Sequence, residues 1–166
     1  ISMLNGGAML ETGAGGSAPK QVEQLGEENQ LRCDSLGDFL AIQESLEFYA
    51  NKCNNQKAKV LAECLDEAIG KCLENNTAPS RKVKEDDNRT SHFYLAMYFA
   101  NHVARQANDM ELHSFFKDIA LEVSSNEENI RAEFNDAKGV KVELGGYYKL
   151  DDEKANTIMR PSATFN

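Results

Sequence analysis

Positive charge is scarce in this 166-residue sequence: 18 lysines and arginines stand against 27 aspartates and glutamates, a formal net charge of −9. Without a basic stripe to neutralise phosphates, the chain is not expected to bind nucleic acid. Apolar runs are short, none approaching the roughly 20 residues that cross a bilayer, so no membrane span is expected. The opening Ile1-Ser-Met-Leu4 has no charged n-region and does not read as a signal peptide. The four cysteines, at 33, 53, 64 and 72, make no C-x-x-C pair, which argues against a zinc knuckle or a thioredoxin-type motif. Cys64 and Cys72 fall on the apolar face of a predicted helix and read as reduced, buried small hydrophobes, which implies an intracellular compartment.

Other familiar chemistry is missing too. His92, His102 and His113 form neither H-x-x-x-H nor H-E-x-x-H, so no metal site is expected from them. The neighbours Asp86-Asp87 and Asp151-Asp152 diverge on any regular element and do not make a Mg²⁺ pair. There is no G-x-S-x-G elbow and no Cys-His nucleophile signature. No repeat or low-complexity tract interrupts the chain. With 41% hydrophobic and 27% charged residues, the composition suits one soluble globular unit with a respectable core.

Most of the chain reads as helix. Asp34 or Ser35 can cap a helix placing Leu36, Phe39, Leu40, Ile42, Leu46 and Tyr49 largely on one face. The asparagines of 51–56 break it. Val60, Leu61, Cys64, Leu65, Ala68, Ile69, Cys72 and Leu73 then form a single apolar stripe, ended by 75–79 with Pro79. A charged segment follows over 80–90. His92 to Ala107 reads as an aromatic helix with Phe93, Leu95, Ala96, Phe99 and Val103. Asn108-Asp109 turns into another, with Leu112, Phe115, Phe116, Ile119 and Val123. Ser125-x-x-Glu128 is a capping box before Ile130 and Phe134, with Gly139 at C′. Val140 to Leu144 alternates like a strand, Ile1 to Leu4 reads as a second, and Asp151 caps a last short helix toward Met159. Two short strands are too few for a free-standing sheet, so the expectation is a mainly α-helical chain whose strands join a sheet completed elsewhere.

One loop carries chemical promise. In Glu11-Thr-Gly-Ala-Gly-Gly-Ser-Ala-Pro-Lys20 three glycines in four positions leave a backbone with little side-chain cover. Such a loop can turn N–H groups toward a phosphate at the start of a helix, with the Ser17 hydroxyl and the Lys20 charge beside it. The alternative is that it only makes a turn. Arg32, Arg81 and Arg89 are the arginines available to an anion. For Arg81 the competing reading is a solvated loop of local ion pairs, and Arg89 reads as structural.

The loop belongs to an ordered set of blocks. They are Leu4 to Lys20, Arg32-Cys-Asp-Ser-Leu-Gly-Asp-Phe-Leu40, Pro79-Ser-Arg-Lys-Val83, Asp87-Asn-Arg-Thr-Ser-His-Phe-Tyr-Leu-Ala96, Gly145-Gly-Tyr-Tyr148 and Met159-Arg-Pro-Ser-Ala-Thr-Phe-Asn166. Together they resemble the C-terminal part of the monomeric-type NADP-dependent isocitrate dehydrogenases. The resemblance implies an isocitrate/isopropylmalate dehydrogenase-like α/β fold. Residues 1–166 would then be the C-terminal portion of the large cofactor-binding domain, incomplete without upstream chain. It implies a monomeric parent enzyme, cytoplasmic or, in a eukaryote, mitochondrial, that decarboxylates isocitrate oxidatively to 2-oxoglutarate with NADP as hydride acceptor. The Mg²⁺ or Mn²⁺ ligands and the catalytic residues would lie outside this chain, which alone would be inactive.

Motif by motif, the resemblance implies cofactor contacts at Gly16, Ser17, Lys20, Gln21, Arg32, Asp34 and Arg81. Arg32 and Arg81 fall at the phosphate end and Asp34 at the adenosine end, where a carboxylate accepts from a hydroxyl or an exocyclic amine. Gln21 departs from the histidine common in the family and never carries charge, so weaker discrimination against NAD is expected. The other reading to weigh is a non-catalytic helical module that binds a dinucleotide or a partner.

Overall fold

The computed structural model describes residues 21–146 and 149–166. Helix α1 covers residues 21–28, followed by α2 (Leu36–Cys53), α3 (Gln56–Glu74), α4 (Asn88–Arg105), α5 (Met110–Ser125), α6 (Glu127–Asp136) and α7 (Asp152–Met159). Helices α2 to α5 each pack on the next, so α3 and α4 lie inside the array and α2 and α5 flank it. The caps explain the boundaries. Asn54 turns left-handed at φ +50°, and Asn55 then accepts from the Ala58 N–H to start α3. Asp87 caps α4, Asp109 accepts from the Glu111 and Leu112 N–H groups, and Asp151 accepts from Lys154.

The apolar stripe of α3 is real except at its end: Val60, Cys64, Leu65, Ala68, Ile69 and Cys72 are buried, whereas Leu73 is exposed. Leu65, Ala68, Ile69 and Cys72 meet Leu95 of α4, with Leu36, Phe39 and Leu46 of α2 closing over them. At the opposite end Val60 and Cys64 meet Val103, Leu112 and Phe116. A third cluster joins Phe93, Tyr94 and Met97 to Ile130 and Phe134 of α6, and Phe165 of the tail packs edge-on against Phe93. A fourth, smaller one gathers Leu25, Leu144 and Ile158 with Val22, Leu31, Val142 and Leu150. All four cysteines are free thiols, and Cys64 and Cys72 are buried.

Several expectations need correction. No strand occurs among the described residues. Residues 140–144 form no strand: a bend at Val140 leads into an irregular segment. Their hydrogen bonds go to the end of α1 instead, from Gly139 N–H to Glu28 C=O (2.7 Å) and from Val142 N–H to Gly26 C=O (2.8 Å). These bonds satisfy carbonyls the helix end leaves unpaired. The alternation survives in burial, with Val142 and Leu144 inward and Lys141 and Glu143 outward. On α2 the covered face is Leu36, Phe39, Gln43, Leu46 and Ala50, and Leu40, Ile42 and Tyr49 are exposed. On α5, Phe115 and Ile119 are exposed and Ala120 is the buried residue. Ala96 of α4 also faces outward. The Ser125 capping box does not form: Ser125 ends α5, its hydroxyl donates to Glu122, and Asn126 starts α6 without a side-chain cap bond. Gly139 (φ +83°) stands one residue beyond C′, two after the Ala137 cap. The Ile1 to Leu4 strand, the glycine loop and Tyr147-Tyr148 lie outside the described residues.

Candidate functional site

The site is built on the segment that leaves α1. Asn29 turns left-handed (φ +47°) and its N–H closes the helix on Leu25 C=O at 2.9 Å. Residues 30–35 then run, as neither helix nor strand, past the start of α4. Leu31 N–H donates to Asp87 (3.0 Å), Leu31 C=O accepts from Asn88 N–H (2.9 Å), and the Asn88 amide donates to Cys33 C=O and the Ser35 hydroxyl. On this segment Asp34 is exposed and Arg32 half-buried.

Across from Arg32 lies the loop of residues 80–86, closed on itself by a hydrogen bond from Ser80 N–H to Asp86 C=O (2.7 Å). Arg32 Nε donates to the Arg81 carbonyl at 2.8 Å, so two arginines from positions 49 residues apart stand together. Arg32 Nη2 lies 2.6 Å from Glu28 Oε2, close enough for ion pairing but misaligned for a hydrogen bond. The remaining donor, Nη1, is buried and has no partner. Arg81 is exposed, and no described residue pairs with its guanidinium. A buried guanidinium donor lacking an acceptor, on a residue bonded to the backbone of a second, exposed arginine, is an opening for an anion with several oxygens. Residues 81–85 are exposed and Lys82 pairs with Glu85 (3.3 Å), as the solvated-loop reading expects, while the Arg32 bond and the buried Gln30 amide tie the loop's backbone to the segment that leaves α1.

Ser35 is the N-cap of α2 and makes no side-chain capping bond, and Asp34, one residue ahead, accepts from the Leu36 N–H at 3.0 Å in its place. Asp34 also stands at the rim of a cleft of about 90 Å³ lined by Phe39, Cys72, Thr77, Ser91 and His92. His92 meets Phe39 edge-on at 5.1 Å, and its buried Nε2 has no partner. Burial holds the His92 imidazole below its ordinary range, against the opposing pull of Asp38, Asp87 and Asp34, so it is neutral at pH 7.

Gln21 is half-buried in α1 and makes no hydrogen bond to Arg32 or Arg81. It sits about 10 Å up the helix axis from Glu28. Gly16, Ser17 and Lys20 lie outside the described residues. Arg89 is structural: it is buried and bonds Asp87 (2.7 Å), Asn29 and the Ile158 carbonyl. The adjacent carboxylates diverge, Asp86 to Arg131 (2.7 Å) and Asp87 to Arg89 and Lys138. Among the described residues no three His, Cys, Asp or Glu side chains converge to hold a metal ion, and no helix is long and apolar enough to cross a membrane.

Sequence reasoning missed Glu28, Gln30 and Lys138. The spacing of Glu28 to Arg32, one helical turn, was a usable signal. Gln30 and Lys138 are polar residues buried by contacts more than 45 positions away, which leaves no local trace.

A family model described as monomeric isocitrate dehydrogenase matches residues 1–166. Over its whole length the chain is 52% identical to isocitrate dehydrogenase [NADP] 2 of Colwellia maris, 51% to isocitrate dehydrogenase [NADP] of Azotobacter vinelandii and 49% to isocitrate dehydrogenase [NADP] 2 of Mycobacterium tuberculosis. In each case it spans 22% of the relative's length.

Proposed function

The chain belongs to the monomeric isocitrate dehydrogenase family, and from that premise we propose that it forms part of an NADP-dependent enzyme that decarboxylates isocitrate oxidatively to 2-oxoglutarate. Within that enzyme, residues 1–166 are the C-terminal portion of the large α/β cofactor-binding domain and supply one wall of the NADP site. The observation that carries this reading is the joined pair Arg32 and Arg81, with Arg32 Nη1 buried and unpartnered. A phosphate supplies the missing acceptor, and the rigid fork of arginine suits it better than lysine would.

When bound, NADP supplies a hydride acceptor, and a divalent cation, Mg²⁺ or Mn²⁺, supplies Lewis acidity at the substrate. The residues of this chain bind and orient. Arg32 and Arg81 hold the 2′-phosphate, with Lys20 adding charge and Gln21 a neutral donor. Gly16 and Ser17 offer backbone N–H groups and a hydroxyl to the diphosphate. Asp34, spare of any bond beyond the one from the Leu36 N–H, accepts from a ribose hydroxyl or the adenine amine. The metal and isocitrate ligands are contributed by residues outside this chain, and the parent acts as a monomer. The four free thiols support an intracellular setting, cytoplasmic or, in a eukaryote, mitochondrial.

Steady-state kinetics of the full-length enzyme test the proposal. Arg32→Ala is expected to raise KM for NADP roughly 10- to 100-fold, the loss of one charge-assisted bond, with kcat and the kinetics for NAD little changed. Equal losses with NADP and NAD, or none with either, would sink it.

A further inference from the structure

We infer that Gln30 is a positioning residue for the cofactor phosphate, acting through the loop that carries Arg81; this rests on the NADP reading above. Gln30 has no exposed surface. Its amide does not serve its own segment. Nε2 donates to the Glu85 carbonyl (3.2 Å) and reaches the Ser80 carbonyl (3.4 Å), while Oε1 accepts from the Lys84 N–H (3.2 Å). All three partners belong to the 80–86 loop, so a single side chain fills its inside.

The loop needs such a hold. Lys84 adopts a left-handed backbone (φ +71°), a conformation that costs a residue with a side chain and persists only where the surroundings fix it. Lys138 Nζ, also buried, donates to the same Glu85 carbonyl at 3.1 Å and to the Thr90 hydroxyl at 3.1 Å. Ser80 Oγ braces the loop from the outer side through Glu85. Two residues beyond Gln30, Arg32 Nε takes the Arg81 carbonyl. Residues 30 and 32 therefore clamp the loop's backbone at successive points, and Arg81 extends, exposed, from a held main chain. Without Gln30 the Ser80 carbonyl and the Lys84 N–H lose their buried partner, and the arm that aims Arg81 is released.

A double-mutant cycle in the full-length enzyme distinguishes positioning from general stabilisation. Gln30→Leu should raise KM for NADP roughly five- to twenty-fold, with kcat within about two-fold and NAD kinetics unchanged, since NAD has no 2′-phosphate for Arg81 to hold. In an Arg81→Ala background the same substitution should add nothing. Gln30→Met, unbranched and closer in shape, serves if Gln30→Leu fails to fold. Equal effects on NADP and NAD, or full additivity with Arg81→Ala, would overturn the inference and leave Gln30 merely structural. If Arg81→Ala itself leaves NADP binding unchanged, the reading beneath it fails, and that outcome is separable from the other two.

Discussion

Cys64 illustrates how a residue with no chemical role still shapes the protein's response to pH. It is 6% exposed beneath α4, and burial, aided by the Glu63 and Glu67 carboxylates, pushes its thiol up to about 11 from an ordinary 9.0. The folded chain keeps this proton while the unfolded chain releases it. Stability from Cys64 is therefore complete below pH 9 and lost as pH rises toward 11. Burial raises Cys72 and Cys33 too. Lys138 works in the opposite sense: burial lowers its ammonium, so the penalty of holding that charge inside is relieved as pH climbs toward 10.5. Cys64→Ala should melt at a lower temperature at pH 7 yet show a shallower fall between pH 9 and 11, and thermal melts at stepped pH read both quantities. A slope as steep as in the parent would mean the thiol is not responsible. Gln21 bears on the cofactor instead. If the 2′-phosphate sits as proposed, Gln21→His restores a side chain that can carry charge, so the ratio of NADP to NAD efficiency should rise several-fold and rise further below pH 6.5. An unchanged ratio would place residue 21 away from the phosphate.

Some helix starts were legible because a cap is a local event, as at Asp109 and Asp151, but α4 begins at Asn88 rather than His92 and the Ser125 box does not form. Asp109 shows the mechanism: one carboxylate oxygen accepts from both Glu111 and Leu112 N–H groups at 3.0 Å. Asp109→Ala should cost about 1 kcal/mol in urea denaturation, and Asp109→Asn, which keeps an acceptor, should recover most of it. The α3 stripe was legible for a similar reason, since an inner helix buries a broad band and the period of 3.6 shows plainly. The flanking helices were not. Whether Leu40 or Leu36 of α2, or Phe115 or Phe116 of α5, turns inward depends on which side the single neighbour occupies, and the spacing of apolar residues supports both arrangements. Residues 140–144 alternate as a strand does, but alternation records only that one side is covered. Here the cover is α1 and α7 rather than a sheet, and the backbone partners are helix-end carbonyls.

Among the described residues the apolar clusters fall into a larger group, in the α2–α5 array with α6 and the tail, and a smaller one that gathers α1, residues 142–144, Leu150 and α7. Polar bonds join the two groups. Arg89, at the start of α4, reaches Asn29 at the exit of α1 and the carbonyl of Ile158 in α7, positions 60 and 69 residues away. Those separations explain why the joint left no mark on the sequence beyond a hint that Arg89 is structural. The candidate site inherits its geometry from this joint, because Asn29 and Asp87 fix the segment that carries Arg32. Arg89→Met would leave the buried Asp87 carboxylate with Lys138 (3.5 Å) as its remaining charged partner beside two backbone N–H donors, a loss on the order of 3–5 kcal/mol. The damage should be uneven. Hydrogen exchange followed by mass spectrometry should show residues 21–31, 139–146 and 152–158 losing protection while the centres of α3 and α4 keep theirs, since the array has its own apolar core. A uniform loss across all helices would instead mean that the two groups unfold as one unit, and that the Arg89 joint supports the whole fold rather than the wall that presents the two arginines.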